Sequence, residues 1–560
     1  MSAQYHQVDQ QSLRDSTNDY IAERHPNMTE IHDRNGNGRN EKPTEQKPFD
    51  PPLRTRTSLD IERVDTTEDD KIETRPVRHQ YLFRRPRALQ YSYQSQVISV
   101  GDEAGAIAVP RFTAADGEGT QRIMHYSPEG ISKHRERLDL FIDLIWVGII
   151  GNLSEVFSSM YFQESSPGNA VGLFILLFLP AWRVWNFLRE FLNNYYMDDG
   201  LQRIFVFWTL ILSVFFGNNI AYFADEPERI KRILIVLYLS IRGGFLLMEM
   251  IYSIWIPWLR RLIIINFIAF SPLTGLWLAS YYTTGLNSAG AAIAAIGWEY
   301  LVPMIMDSPF ANRFIPSEYR KEIDPDHFKT RMTSFFIITV GEGVLVLIKD
   351  GPLGIGIHRA STLAIWPLLI YFLLSYLYFN RDQSVRYVPA VRARGWRTLM
   401  WTFFHIPLFA SFITYSSSVL FILRVSNGTE EGTKGETLKE EETAALVYRA
   451  IWNMAGSLAL IVLSMTFQAL ADKPLDPAGT LLVNNRYIRL CSRIIYILVI
   501  ALVPSKADLA VTTFLAICGV GLSMIVWWEL IVCLEQPAKF LEPKGLTTLI
   551  QEKGIRGEEV

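Results

Sequence analysis

The sequence predicts an all-α protein, a polytopic transmembrane helix bundle of about twelve spans behind a disordered N-terminal tail. Three observations carry that expectation. Long apolar runs follow one another from Leu138 to Cys533 with short polar breaks between them. Ahead of them lies a stretch rich in Arg, Asp, Glu, Asn and Pro, such as HDRNGNGRNEKPTEQKPFDPP at 32–52. The 560 residues are 49% hydrophobic, yet the net charge is only −3. A bilayer span takes about 20 apolar residues, so twelve need roughly 240 and fit within the apolar part. A balanced charge gives no reason to expect a nucleic-acid partner, and the apolar runs argue against a large soluble multidomain enzyme.

Residues 1–135 bury too little apolar surface to offset chain entropy, so a disordered cytosolic tail is expected. A short apolar patch, Val97–Val100 and Ala104–Val109, is expected to dock locally. MSAQYHQVDQQSLRDSTNDY has no apolar signal-peptide core, so membrane entry begins with the first span. The spans are expected at 139–161, 170–192, 203–223, 233–256, 262–283 and 289–306. The second set is 332–349, 361–379, 398–423, 446–470, 488–504 and 508–533. Pro180, Pro272 and Gly341 fall inside spans, which membrane helices tolerate because neighbours re-satisfy freed backbone groups. Arg137-x-x-x-Phe141 opens the first span and Arg331-x-x-x-Phe335 the seventh, so 136–306 and 307–535 read as two six-helix repeats. Such duplication is common in transporters, with the site at the repeat interface. Residues 536–560 form a cytosolic C-terminal tail.

With the N-terminus inside, the inner loops hold seventeen Lys and Arg and the outer loops ten, which places both termini in the cytosol. The acidic 424–449 loop agrees: it carries the sequon Asn427-Gly428-Thr429, which requires an outer or lumenal location to be used. Cys491, Cys518 and Cys533 are too few and too late for a disulfide framework. No metal or cofactor signature occurs, so no cofactor is expected.

Ionisable groups at membrane depth cost several kcal/mol unless paired or wetted, so each is a candidate. Asp139 and Asp143 share one face of the first span, a spacing suited to a proton or cation relay. A carboxylate at Asp139 also suits the helix dipole. Arg183 lies deep in the second span, and an interhelical partner such as Asp143 would satisfy it. Arg242 and Glu249 sit about two turns apart, too far for a direct bond, so each needs a partner on another helix. Glu299 lies in the sixth span. His327 and Arg331 introduce the seventh, where Gly341-Glu342-Gly343 would let another helix approach a buried acid. His405 in the ninth span reads first as a hydrogen-bonded core residue.

Leu138-Asp-Leu-Phe-Ile-Asp143-Leu-Ile-Trp-Val resembles the E-L-F-F-D-L-V-F-V motif of the low-temperature-requirement A (LtrA) family of multi-pass membrane proteins. Trp182-Arg-Val-Trp185 with 194–199 is a second likeness. His327…Arg331…Phe335-Phe-Ile-Ile-Thr-Val-Gly341-Glu342 is similar to the family's H-x-x-E-R…F-V-I-I-x-L-G-E-S, and His405-Ile-Pro407-Leu to its H-L-P-L. Asp139 and Thr330 stand where Glu is usual, and Gly343 where Ser is. Arg137-x-x-x-Phe141-x-Asp143 also resembles the R-x-x-x-F-S-D signature of a lysosomal potassium-channel family built from two six-helix repeats, with Ile142 in place of Ser.

The leading functional expectation is a transporter or ion channel that moves ions, protons or a small solute across the bilayer. Asp143 and Glu342 are its expected acids, with Arg183, Arg242 and His327 as counter-charges. Two other classes stay open. One is a membrane-embedded lipid-modifying enzyme using Glu342, His405 and Asp143; the other is a non-catalytic organiser or stress sensor. The sequence leaves open the membrane (plasma membrane or endomembrane) and whether the chain forms a homodimer.

Overall fold

The structure, a computed structural model, describes residues 128–534 apart from short loop stretches, of which 308–323 and 428–439 are the longest. It also describes a few residues between 82 and 114. The tail disorder expected for residues 1–81 and the C-terminal tail 536–560 lie outside the described residues. Within the expected tail, Ser95–Ile98 pairs antiparallel with Ile107–Pro110, and Leu89–Gln90 with Thr113–Ala114. The apolar patch expected to dock locally supplies the longer pair.

Twelve long helices follow among the described residues, one for each expected span. They are α1 (Pro128–Gln163), α2 (Pro167–Tyr195), α3 (Gly200–Ile220), α4 (Pro227–Trp255), α5 (Arg260–Tyr282) and α6 (Gly285–Asp307). The rest are α7 (Pro325–Leu345), α8 (Ile365–Asn380), α9 (His405–Asn427), α10 (Glu440–Ala471), α11 (Arg486–Leu502) and α12 (Val511–Val532). A short helix, Trp396–Phe403, leads into α9. Eleven of the twelve are long and apolar enough to cross a membrane. The exception is α7, whose apolar run is broken by Lys329, Arg331 and Glu342.

Starts and stops follow from local chemistry. Asp199, Asp324 and Asn485 cap α3, α7 and α11 by accepting from first-turn backbone N–H groups. Pro227 and Pro325 occupy first-turn positions, where a missing N–H costs nothing. Helix association in lipid relies on close packing and interhelical hydrogen bonds, and the bundle uses both. A Cβ on Gly217 would lie 2.6 Å from Ile149, so α1 and α3 touch backbone to side chain. Ser154 on α1 meets Ser417 on α9 at 2.9 Å.

Helix α1 packs on α2, α3, α7 and α9, and so joins the first six helices to the rest. Trp182 of α2 meets Phe335 of α7 edge-on and Trp185 meets it at a tilt, and Phe335 in turn meets Phe409 of α9. Helices α2, α9 and α10 are mostly buried, whereas α5 and α6 lie at the edge.

Candidate functional site

The expected charges fall into separate groups. The first lies where α1, α2 and α7 meet. Arg331 donates through Nη1 to Asp143 at 2.6 Å and to the Asp139 carbonyl at 2.9 Å. The Trp185 indole donates to the other Asp143 oxygen at 3.1 Å. His327 Nε2 lies 2.9 Å from Asp139. The hydrogen bonds fix the imidazole's roles. Asn193 Oδ1 accepts from the Asp324 N–H, so the Asn193 amide nitrogen faces His327 Nδ1 at 3.0 Å. Nδ1 therefore accepts and Nε2 donates to Asp139. Arg331, Asp143, Asp139, Trp185 and Asn193 are buried, and His327 is partly so. Asp143 is thus the partner of Arg331, not of Arg183.

The second group joins α2, α4 and α6. Arg183 and Arg242 approach Glu299 Oε1 with Nε at 3.7 and 3.5 Å, and Tyr238 donates to Glu299 Oε2. Glu190 Oε1 stands 3.8 Å from Arg183 Nη1. Both guanidiniums sit 4.4 Å from the Phe187 ring centroid, a cation–π contact that steadies charge in an apolar setting. At 3.5 Å and beyond, the Nε groups are not hydrogen-bonded to the carboxylate.

A cavity of about 290 Å³ opens beside this group. Its lining includes Arg183, Arg189, Glu190, Arg242, Glu249 and Glu299, with Asn193, Asn194 and Asn266 and an apolar remainder. A second, mainly apolar cavity of about 760 Å³ lies along the other halves of the same helices. In α2 the polar cavity takes 183–194 and the apolar one 168–180; in α4 the division is 242–249 against 227–238. Helices α5 and α6 divide likewise, at 262–273 against 277–280 and at 298–303 against 285–293. Tyr238 lines the apolar cavity and Glu299 the polar one, so their hydrogen bond stands at the junction.

The remaining candidates lie elsewhere. Neither Asp143 nor Glu342 lines either of these two cavities. Glu342 packs on Gly151 of α1, where an added Cβ would lie 3.2 Å from its carboxylate, and no ion pair to it occurs among the described residues. Of the flanking glycines, Gly343 faces Tyr371 of α8, while Gly341 faces open space. It is Gly151, therefore, that brings a helix close to the acid. His405 is fully buried: Nδ1 donates to the Trp401 carbonyl at 2.7 Å, leaving Nε2 to accept from Tyr378 at 3.2 Å. Trp185, Phe335 and Phe409 stand in sequence between Asp143 and His405. Glu342, His405 and Asp143 are accordingly not gathered around one headgroup. Asn427 is the last residue of α9 and packs against Gly354; the rest of its sequon lies outside the described residues.

A third group escaped the sequence reading. Arg493 forms a two-toothed pair with Glu529, at 2.6 and 2.9 Å, and also donates to the Arg381 carbonyl. Arg381 pairs with Asp472, while Arg486 and Arg489 lie 3.4 and 3.6 Å from Asp382. Arg381 and Gln383 hold φ of 50° and 54°, a left-handed backbone that costs non-glycine residues about 1–3 kcal/mol. The signal was present: Arg486, Arg489 and Arg493 form one helical stripe. They contribute to the inner-loop charge that orients the chain, yet their guanidiniums point into the protein.

Together these features define a multi-pass α-helical integral membrane protein whose buried charges, Glu342 apart, are held in pairs and networks. The chain belongs to the low temperature requirement A family: the family described as "Bacterial low temperature requirement A protein (LtrA)" matches residues 136–528. The match contains all the motifs that carried the resemblance. No curated protein and no solved structure matches the chain.

Proposed function

We propose that the protein is a transporter whose solute crosses between the two cavities of α2, α4, α5 and α6. The observation that carries this reading is the division of the same four helices between two cavities meeting at Tyr238 and Glu299. A hydrated, charged chamber at membrane depth explains why costly ionised groups are retained there. The closed junction favours a carrier, which exposes its site to each side in turn, over a pore open throughout. Both termini are assigned to the cytosol, which makes the polar cavity the inward-facing one. The acids of the pathway become Glu299, Glu190 and Glu249, and the Asp143–Arg331 group becomes a fixed post beside it.

Purified full-length protein in liposomes, under imposed gradients of protons, common cations, inorganic and organic anions and neutral metabolites, tests this. Uptake above empty vesicles is expected for one class of solute, falling at least tenfold in Glu299→Ala. Absence of flux for every class would overturn the reading.

A further inference from the structure

Resting on that reading, we propose that the polar cavity is a seat for a small organic oxyanion, a carboxylate or phosphate carried on an apolar body. The oxyanion end is recognised by Arg183 and Arg242. Each has a buried Nε without a hydrogen bond, as does the Glu299 oxygen between them. Their Nη groups likewise make no hydrogen bond among the described residues, although both side chains line the cavity. Two guanidiniums therefore border one chamber with Nη donors that no acceptor among the described residues fills. Arginine forks match planar or tetrahedral oxyanions geometrically.

The contrast with the other two groups sharpens the point. Arg331 and Arg493 spend donors on carboxylates at 2.6 Å, as guanidiniums do when their task is to hold helices together. Arg183 and Arg242 share one carboxylate at 3.5–3.7 Å; Arg486 and Arg489 share Asp382 as loosely, at 3.4 and 3.6 Å, but line neither cavity, so it is looseness beside a chamber that marks the first pair. Phe187 keeps both guanidiniums in place when the carboxylate moves away.

The rest of the lining selects the body. Phe191, Phe245, Phe270, Trp298 and Leu273 supply apolar walls, and about 290 Å³ is at the small end of ligand sites. A bare inorganic ion would leave those walls wet. A compact monoanion with a ring or short chain fills both parts.

Radiolabelled benzoate binding to the purified full-length protein in detergent tests the proposal, with uptake into proteoliposomes measured in parallel. Saturable binding is expected, weakened at least tenfold in Arg242→Gln and in Arg183→Gln and less in Arg242→Lys, which keeps the charge but not the fork. Glu299→Gln removes the competing carboxylate and should tighten binding several-fold. Acetate and inorganic phosphate should displace benzoate at least tenfold less well than benzoate itself, and benzamide not at all. Melting curves in detergent identify any variant that has failed to fold, in which case Arg242→Lys and Glu299→Gln carry the test. No saturable binding, or equal binding in folded Arg242→Gln, would overturn the seat. Equal displacement by phosphate would overturn its apolar body. Benzoate binding without uptake of any solute would leave the seat and overturn transport; uptake of cations or neutral solutes without benzoate binding would do the reverse.

Discussion

Arg331 shows how much a single buried charge can hold. It lies between two carboxylates of α1, bonded to Asp143 and to the backbone of Asp139, with its Nε 3.8 Å from the Asp139 side chain. Removing one partner of a buried pair costs about 3–5 kcal/mol, because the survivor is left uncompensated. Arg331→Gln abandons two acids, whereas Asp143→Asn leaves Arg331 its contact with Asp139. Arg331→Gln should therefore lower stability in detergent by about 3–5 kcal/mol and Asp143→Asn by less, and adding Asp143→Asn to Arg331→Gln should restore part of the loss. Denaturant unfolding followed by tryptophan fluorescence measures all three; a greater loss in Asp143→Asn would refute the assignment. Each of these residues was visible in the sequence as a charge in an apolar run. Which acid meets which base was not, since Asp143 and Arg331 are 188 positions apart and only the placement of α7 against α1 decides it. Arg183, the partner suggested for Asp143, instead turns from α2 toward α6.

At the scale of the element, α7 is the helix least able to stand alone. Its charges deny it the apolar run that its eleven companions have, and it is retained by contacts with α1, α8 and α9. Its two glycines divide that role unequally. A Cβ at Gly343 would fall 2.6–2.7 Å from Tyr371, whose hydroxyl is committed to Ser416 at 2.8 Å, while a Cβ at Gly341 meets nothing within 4 Å. Overpacking costs about 1–3 kcal/mol, against about 1 kcal/mol regained from helix propensity. Gly343→Ala should therefore lower the melting temperature, and Gly341→Ala should leave it unchanged or raise it; equal effects would remove the claimed close contact. The sequence located eleven of the helices because each apolar run is long enough to be read without its neighbours, and α7 by the shorter apolar stretch between Arg331 and Glu342. It missed the Arg381–Arg493 group because the signal is spread over loops and two helices, and becomes coherent only when Glu529 and Asp382 approach the arginine stripe of α11.

Across the whole molecule the three charge groups differ in what they border, and that difference sorts their work. Arg331 and Arg493 are tied to carboxylates by short bonds and line neither cavity, while Arg183, Arg242 and Glu299 border the polar one. If the two cavities are the two ends of one route, they must open to opposite sides of the membrane. Asn266 lines the polar cavity and Asn169 the apolar one, so a single cysteine at each position reports which side reaches it. The native thiols intrude little: Cys518 is buried, and burial pushes the Cys533 thiol up to about 11, leaving little reactive thiolate at neutral pH. With Cys491 replaced by Ser, a membrane-impermeant maleimide applied to sealed vesicles should label Asn266→Cys from the cytosolic face and Asn169→Cys from the other. Labelling of both from one face would mean that the cavities are pockets on a single surface, and no rearrangement at Tyr238 and Glu299 could then carry a solute across.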